Sequence, residues 1–389
     1  ALEVAPESED AAAALSTHAR GLGRLDVLVK GLENARAHAP KNARILQRLA
    51  LAYDEVGQGD DARVAALQAV KISPNLAPAQ RLLGDLEARA GNHDAAIRAY
   101  SVAVRFPPPQ AKDEASLADC HRLAGRPEQA LTHAEKALAI DGESPEAYLS
   151  LGAALVDLGR IDEAIATLQM RVRLLDDAEG YYRYADALQR VRRYDEAAAA
   201  AQRALQHDPT HALANYALGL ALMHLGRSGE AIAAWEQAVS GAPEDASIRA
   251  ALGFGYLKAG RSTEAATMCR EAVNLGLSDA ETLETFARLF EKLGHTEDAL
   301  ASWRRAADNS GEPLSILRSW AALLMRENRH ADAVDVFQRA MLVAPNDPSV
   351  RYGLGVCYAS LGEGRAARAQ YEALATLDPH KAEELRARL

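Results

Sequence analysis

Small and large apolar positions recur along this chain with a long, fixed period. Alanine holds one place in ten of eleven successive windows: Ala62, Ala96, Ala130, Ala164, Ala197, Ala231, Ala265, Ala299, Ala333 and Ala367, with Leu28 at that place in the first. The step is 34 residues except for one of 33, from Ala164 to Ala197. With this alanine numbered 20, position 8 is small in most windows, as at Ala50, Gly84, Gly152, Gly219, Gly253 and Gly355, and position 27 is alanine in nine. Larger apolar residues stand at position 7, including Leu151, Leu218, Phe286, Trp320 and Leu354. Each window therefore predicts two helices, and the constant interval predicts stacked hairpins instead of one globular core.

Each recurring residue type has a physical reason. Two antiparallel helices approach closely only where side chains are small, so positions 8 and 20 are expected to meet across each hairpin, where a larger residue would overpack the contact. Glycine at position 15 suits the left-handed conformation that ends a helix. Asp26, Asp60, Asp94, Asp162 and Asp195 follow three residues later and are expected to cap the second helix. Proline at position 32, as at Pro40, Pro74, Pro209, Pro243, Pro345 and Pro379, cannot continue that helix and starts the link to the next hairpin.

Position 24 is often aromatic (Tyr100, Trp235, Trp303, Phe337, Tyr371). Together with the small residue at 8, alanine at 20 and 27 and proline at 32, the pattern resembles the tetratricopeptide repeat. The resemblance implies an all-α, right-handed superhelical solenoid of about eleven repeats. Their bounds fall near 9–42, 43–76, 77–110, 111–144, 145–177, 178–211, 212–245, 246–279, 280–313, 314–347 and 348–381. Residues 1–8 form an N-terminal tail. Residues 382–389 are expected to be a helix that covers the last repeat and closes the array, as solenoid ends require.

Composition narrows the function classes. The 389 residues carry a net charge of −10, which disfavours a general nucleic-acid surface. No apolar run approaches the ~20 residues that span a bilayer. The first ten residues are acidic and polar, unlike a signal peptide. The repeats occupy nearly the whole chain and leave no room for a catalytic domain. Cys120, Cys269 and Cys357 fit no zinc or redox spacing and fall at packing positions, which favours a reducing, cytoplasmic compartment. A periplasmic one follows if a signal peptide has been removed before Ala1.

Candidate chemistry reduces to packing. His207 and His211 flank Asp208-Pro209 at a turn, so they do not share the helix face that a metal pair needs. The Gly-x-Gly pairs, such as Gly253/Gly255 and Gly353/Gly355, follow no strand and support no nucleotide loop. No set of catalytic roles assembles, so neither enzyme activity nor a metal or cofactor is expected.

The resemblance makes the inner wall the informative surface, because positions 2, 5, 6, 9, 12 and 13 of the first helices are expected to line it. Repeats two to four offer Arg44, Gln47, Arg48, Arg81, Arg89, Lys112 and Arg122 there, with acids among them. Repeat six offers Tyr182, Arg183, Asp186, Gln189 and Arg190. Repeats seven and eight turn apolar, with Tyr216, Leu220, Met223, Phe254 and Leu257, and small Ala217, Ala250 and Ala251 between them. Repeats nine and ten return to charge. This reads as a peptide groove, with cations toward one end attracting carboxylates and an apolar centre anchoring side chains. Self-contact between copies would use the same apolar patch. Neither the lysine/asparagine carboxylate clamp of some family members nor the asparagine ladder of others occurs here.

Three joints depart from the pattern. The short fifth repeat has Arg171 at position 27 and no proline before residue 178, which predicts a bend or hinge near 178. Pro107-Pro108-Pro109 predicts a stiff link, and the turn at Gly276 a loose one. The expected function is a non-catalytic scaffold that binds a protein or peptide segment. Two alternatives fit the same residues. One is a bacterial periplasmic scaffold of polysaccharide or pilus machinery. The other is the substrate-recruiting part of a larger glycosyl- or sulfotransferase.

Overall fold

The computed structural model describes residues 8–106 and 110–389, so the triple-proline link and most of the N-terminal tail lie outside the described residues. Among the described residues there are twenty-three helices and no strand. They fall into two compact units, Ala1–Pro209 and Thr210–Leu389.

Unit 1 is a series of hairpins: α1 (Glu9–Gly21) with α2 (Leu25–His38), α3 (Ala43–Glu55) with α4 (Gly59–Ile72), α5 (Ala77–Arg89) with α6 (His93–Ala103), α7 (Ala111–Leu123) with α8 (Pro127–Ile140), α9 (Pro145–Asp157) with α10 (Ile161–Leu174), and α11 (Ala178–Arg190) with α12 (Tyr194–His207). Unit 2 continues the pattern: α13 (Ala212–His224) with α14 (Ser228–Gly241), α15 (Ala246–Lys258) with α16 (Ser262–Asn274), α17 (Ala280–Leu293) with α18 (Thr296–Asn309), α19 (Leu314–Arg326) with α20 (His330–Val343), and α21 (Pro348–Ser360) with α22 (Gly364–Leu377), followed by α23 (Pro379–Arg386). The last helix thus begins at the position-32 proline, three residues before the expected 382.

The register explains the core. Every position-20 residue is buried to 1% exposure or less. At Gly84, Gly152, Gly219 and Gly253, however, position 8 faces position 24 of its own hairpin more closely than position 20, whereas Gly355 faces Leu385 of α23. A β-carbon on Gly84 would lie 2.8 Å from the Tyr100 ring, and one on Gly253 2.8 Å from Cys269 Sγ, with the Ala265 carbonyl farther off at 3.6 Å. Side chains at 24 also reach the next hairpin: Trp235 packs over Gly219 on one side and Gly255 on the other. Two glycines across consecutive first helices therefore make one indole slot.

Caps divide by helix type. Seven of the first helices are capped by short side chains that accept backbone N–H groups, at Ser8, Asn42, Ser144, Asp177, Asp245, Asp279 and Asp347, while α5, α7 and α19 have no side-chain cap. The second helices have no side-chain cap, and the expected capping aspartates lie inside the first turn instead. Their N-cap is arginine in seven hairpins, often paired with an acid three residues on, as in Arg160–Glu163, Arg193–Glu196, Arg227–Glu230 and Arg329–Asp332. These carboxylates still favour the positive end of the helix dipole. Position 15 takes φ between 65° and 78° wherever it is glycine, and Arg192 and Asn328 adopt the same left-handed turn at 61° and 59°.

The division after Pro209 differs from the break expected near 178. The joint between α10 and α11 is filled by Arg171 itself. Its guanidinium is buried, donates to the Leu175 carbonyl at 2.8 Å and to Asp177 at 2.9 Å, and lies against Gly180. Asp177 also caps α11. Burial alone would raise its carboxyl pKa, but Arg171 and the Gly180 amide outweigh that and hold it low.

Candidate functional site

In unit 1 most of the cations expected on the inner wall stand opposite acids. Arg44 meets Glu9 at 3.0 Å, Arg89 meets Asp54 at 2.6 Å, and Arg122 meets Asp157 at 3.5 Å. Arg81 donates from Nε to both oxygens of buried Asp113, at 2.7 and 2.6 Å. Arg183 donates to Glu179 at 2.7 Å and lies 5.2 Å from the Tyr182 ring centroid, while Asp186 accepts from Arg190 at 3.2 Å. Gln47, Arg48 and Gln189 are half-buried on α3 and α11, and Lys112 is exposed. Burial raises the carboxyl pKa of Asp119, which lies among Ser150, Arg122 and Arg183. Most of these candidate cations of unit 1 are thus ion-paired, and Arg48 and Lys112 are the candidates outside any ion pair among the described residues.

Several of these pairs follow one rule. Residues 35 apart join position 12 of one repeat to position 13 of the next: Arg20–Glu55, Asp54–Arg89, Arg122–Asp157 and Glu291–Arg326. Sequence reading placed these residues on the inner wall but missed the pairing, although the offset of one period plus one residue was there to find.

In unit 2 four of the expected residues converge. Tyr216, Leu220 and Met223 of α13 and Phe254 of α15 line a cleft of about 460 Å³, with Trp235 from α14, Ala250, Ala251 and Lys258 from α15, Leu277, and Asp279 and Thr282 at the start of α17. Leu257 packs on the same apolar core but outside the cleft. Each wall has a local cause. Ala250 and Ala251 are buried and small, which makes room between α13 and α15. The Trp235 indole is held by its slot and by an N–H donated to the Tyr216 carbonyl at 3.2 Å. Phe254 is half-buried and steadied by Phe286, with ring centroids 5.5 Å apart. Asp279 is occupied as the α17 cap, accepting from the Thr282 amide at 2.8 Å. Lys258 is exposed at the rim. Leu277, Asp279 and Thr282 escaped sequence reading because they lie outside the inner-wall positions, whereas Ser247, which also lines the cleft, was within reach at position 2. Lys258 was within reach at position 13.

The remaining candidates are structural. Burial pushes the thiols of Cys120 and Cys269 up to about 12 and that of Cys357 to about 11, which keeps them protonated and unreactive. His207 faces Asp176 at 3.1 Å, and His211 caps α13 by accepting from the Ala214 amide at 3.1 Å. Among the described residues no cluster of three metal-ligating side chains occurs, and no helix is long and apolar enough to cross a membrane.

Hairpins of one length, fixed by small residues at constant offsets and presenting their first helices to a cleft, define a class of tandem helical-repeat proteins. Two sequence models of the tetratricopeptide repeat match, one over residues 48–111, 182–246, 225–280 and 285–341 and the other over 121–190 and 324–389. The chain belongs to the tetratricopeptide repeat family. Similar solved structures include the human IFIT1 dimer with PPP-AAAA, with 16% identity over 95% of this chain and 91% of that chain at a TM-score of 0.55. A tetratricopeptide repeat protein from Parabacteroides merdae has 16% identity over 64% of this chain and 98% of that chain at 0.54. MamA has 29% identity over 41% of this chain and 94% of that chain at 0.37. Among curated proteins none matches this chain closely.

Proposed function

We propose that this protein is a non-catalytic interaction scaffold that holds a segment of another protein in the cleft of unit 2. One observation carries the reading: a preformed, largely apolar recess bounded by Tyr216, Leu220, Met223 and Phe254, on a protein whose inner-wall candidates in unit 1 are polar and mostly ion-paired. Recesses of this kind anchor large apolar side chains, and the polar rim gives register. Met223 can adapt to the shape of the side chain that enters. Peptides selected by display on the full chain test the reading. Tyr216→Ala with Phe254→Ala is expected to weaken a selected peptide by about 2–4 kcal/mol while circular dichroism is preserved. Unchanged affinity in the double variant would refute cleft binding.

A further inference from the structure

The pairing of position 12 with position 13 is interrupted beside the cleft and resumes at Glu291–Arg326. Among the described residues, each arginine or acid at position 13 is ion-paired: Glu55 with Arg20, Arg89 with Asp54, Asp157 with Arg122, Arg190 with Asp186 and Arg326 with Glu291. The two position-13 lysines, Lys258 and Lys292, form no ion pair, and both are exposed. The reason is in the register. Where an acid would face Lys258, position 12 holds Met223, and where one would face Lys292 it holds Leu257. Apolar residues thus stand where the rule would place carboxylates, and one of them, Met223, also lines the cleft.

We propose that Lys258 and Lys292 bind two carboxylates of the protein segment whose apolar side chain fills the cleft. The inference rests on the cleft reading above and adds the chemistry of the partner. The partner is an extended acidic segment with one large apolar residue and two acidic residues about one repeat apart. Neighbouring helices pack about 10 Å apart, and extended chain rises about 3.3 Å per residue, so the two acids stand roughly three to four residues apart. The lysines lie in the last turns of α15 and α17, at the negative ends of those helices, where a cation is favoured even without a partner. Complementary charge then sets partner choice and the rate of encounter, while the recess supplies affinity.

Random twelve-residue peptides displayed against the full chain provide the test, with enriched peptides titrated by fluorescence anisotropy. Enriched peptides are expected to carry the apolar residue with spaced acids and to lose at least about tenfold affinity for the Lys258→Glu/Lys292→Glu variant. Selection on that variant is expected to favour basic residues at the same places. Peptides that need Phe254 yet show no acidic excess and bind the double variant equally would overturn the lysine assignment and leave the cleft reading standing. Absence of any peptide sensitive to Phe254→Ala would overturn both. Both lysines are exposed, so the variant is expected to retain the wild-type circular dichroism and melting profile, and a collapse of either would refute their assignment as ligand-facing residues.

Discussion

Arg192→Gly is expected to stabilise the sixth hairpin. Arg192 is an exposed arginine at φ 61°, in a turn that nine other hairpins make with glycine. An L-residue in the left-handed region costs roughly 1–2 kcal/mol. Glycine removes that cost but returns about 0.5–1 kcal/mol as freedom of the unfolded chain. The side chain makes no ion pair among the described residues, so little else is lost. The net gain is about 0.5–1 kcal/mol. Asn328 gives an internal control, since its φ of 59° is one that asparagine tolerates, and Asn328→Gly is expected to be close to neutral. Repeat arrays open in parts, so native-state amide exchange on α11 and α12 is a better assay than a global melt. Equal effects of the two substitutions, or faster exchange in Arg192→Gly, would refute the assignment of strain to this turn.

Arg171→Ala restores the family's usual residue at position 27, yet it is expected to destabilise by about 1.5–3 kcal/mol, because it strips charged hydrogen bonds from Asp177 and the Leu175 carbonyl; urea denaturation followed at 222 nm measures it. Gly219→Leu would drive a side chain into the Trp235 indole and is expected to lower stability by about 1–3 kcal/mol, read by thermal melting with the shift in tryptophan fluorescence. Acid sensitivity is expected in the fourth hairpin. Burial, then His133 and Arg126, lower the pKa of His121, whose ring stacks 5.2 Å from that of His133, while His133 contacts Glu114 at 2.6 Å. Its neutral form is the one the fold prefers, so this stability is full above the ordinary value of 6.5 and is lost as pH falls through the lowered folded value. Urea midpoints between pH 7 and 5 are expected to fall more in the wild type than in His121→Gln, and parallel curves would exclude the histidine.

Side-chain size was the legible part of the sequence. Each hairpin, its turn at position 15 and the buried alanines follow from where large residues do not fit. What escaped was pairing between elements. Positions 8 and 24 share a contact that the list of small residues did not reveal, because Trp235 and Cys269 are both accommodated there by glycine. Arg171 looked like a defect in a column of alanines, and only its bonds to Asp177 and Leu175 show it as a replacement for lost packing. The apolar part of the cleft was visible because Tyr216, Leu220, Met223 and Phe254 break a polar column. Its rim at Leu277, Asp279 and Thr282 comes from a linker and a helix start, outside the positions that periodicity assigns to the wall.

The charged rungs between repeats also fix the order of the units. Arg20 meets Glu55, and Asp54 meets Arg89, so the sign reverses from one junction to the next. Excising the second repeat whole would keep the period and the core but bring Arg20 against Arg89. Gene duplication or unequal exchange can therefore lengthen or shorten such an array only where neighbouring rungs tolerate the new arrangement, and the copies, however alike in their alanines, have ceased to be interchangeable.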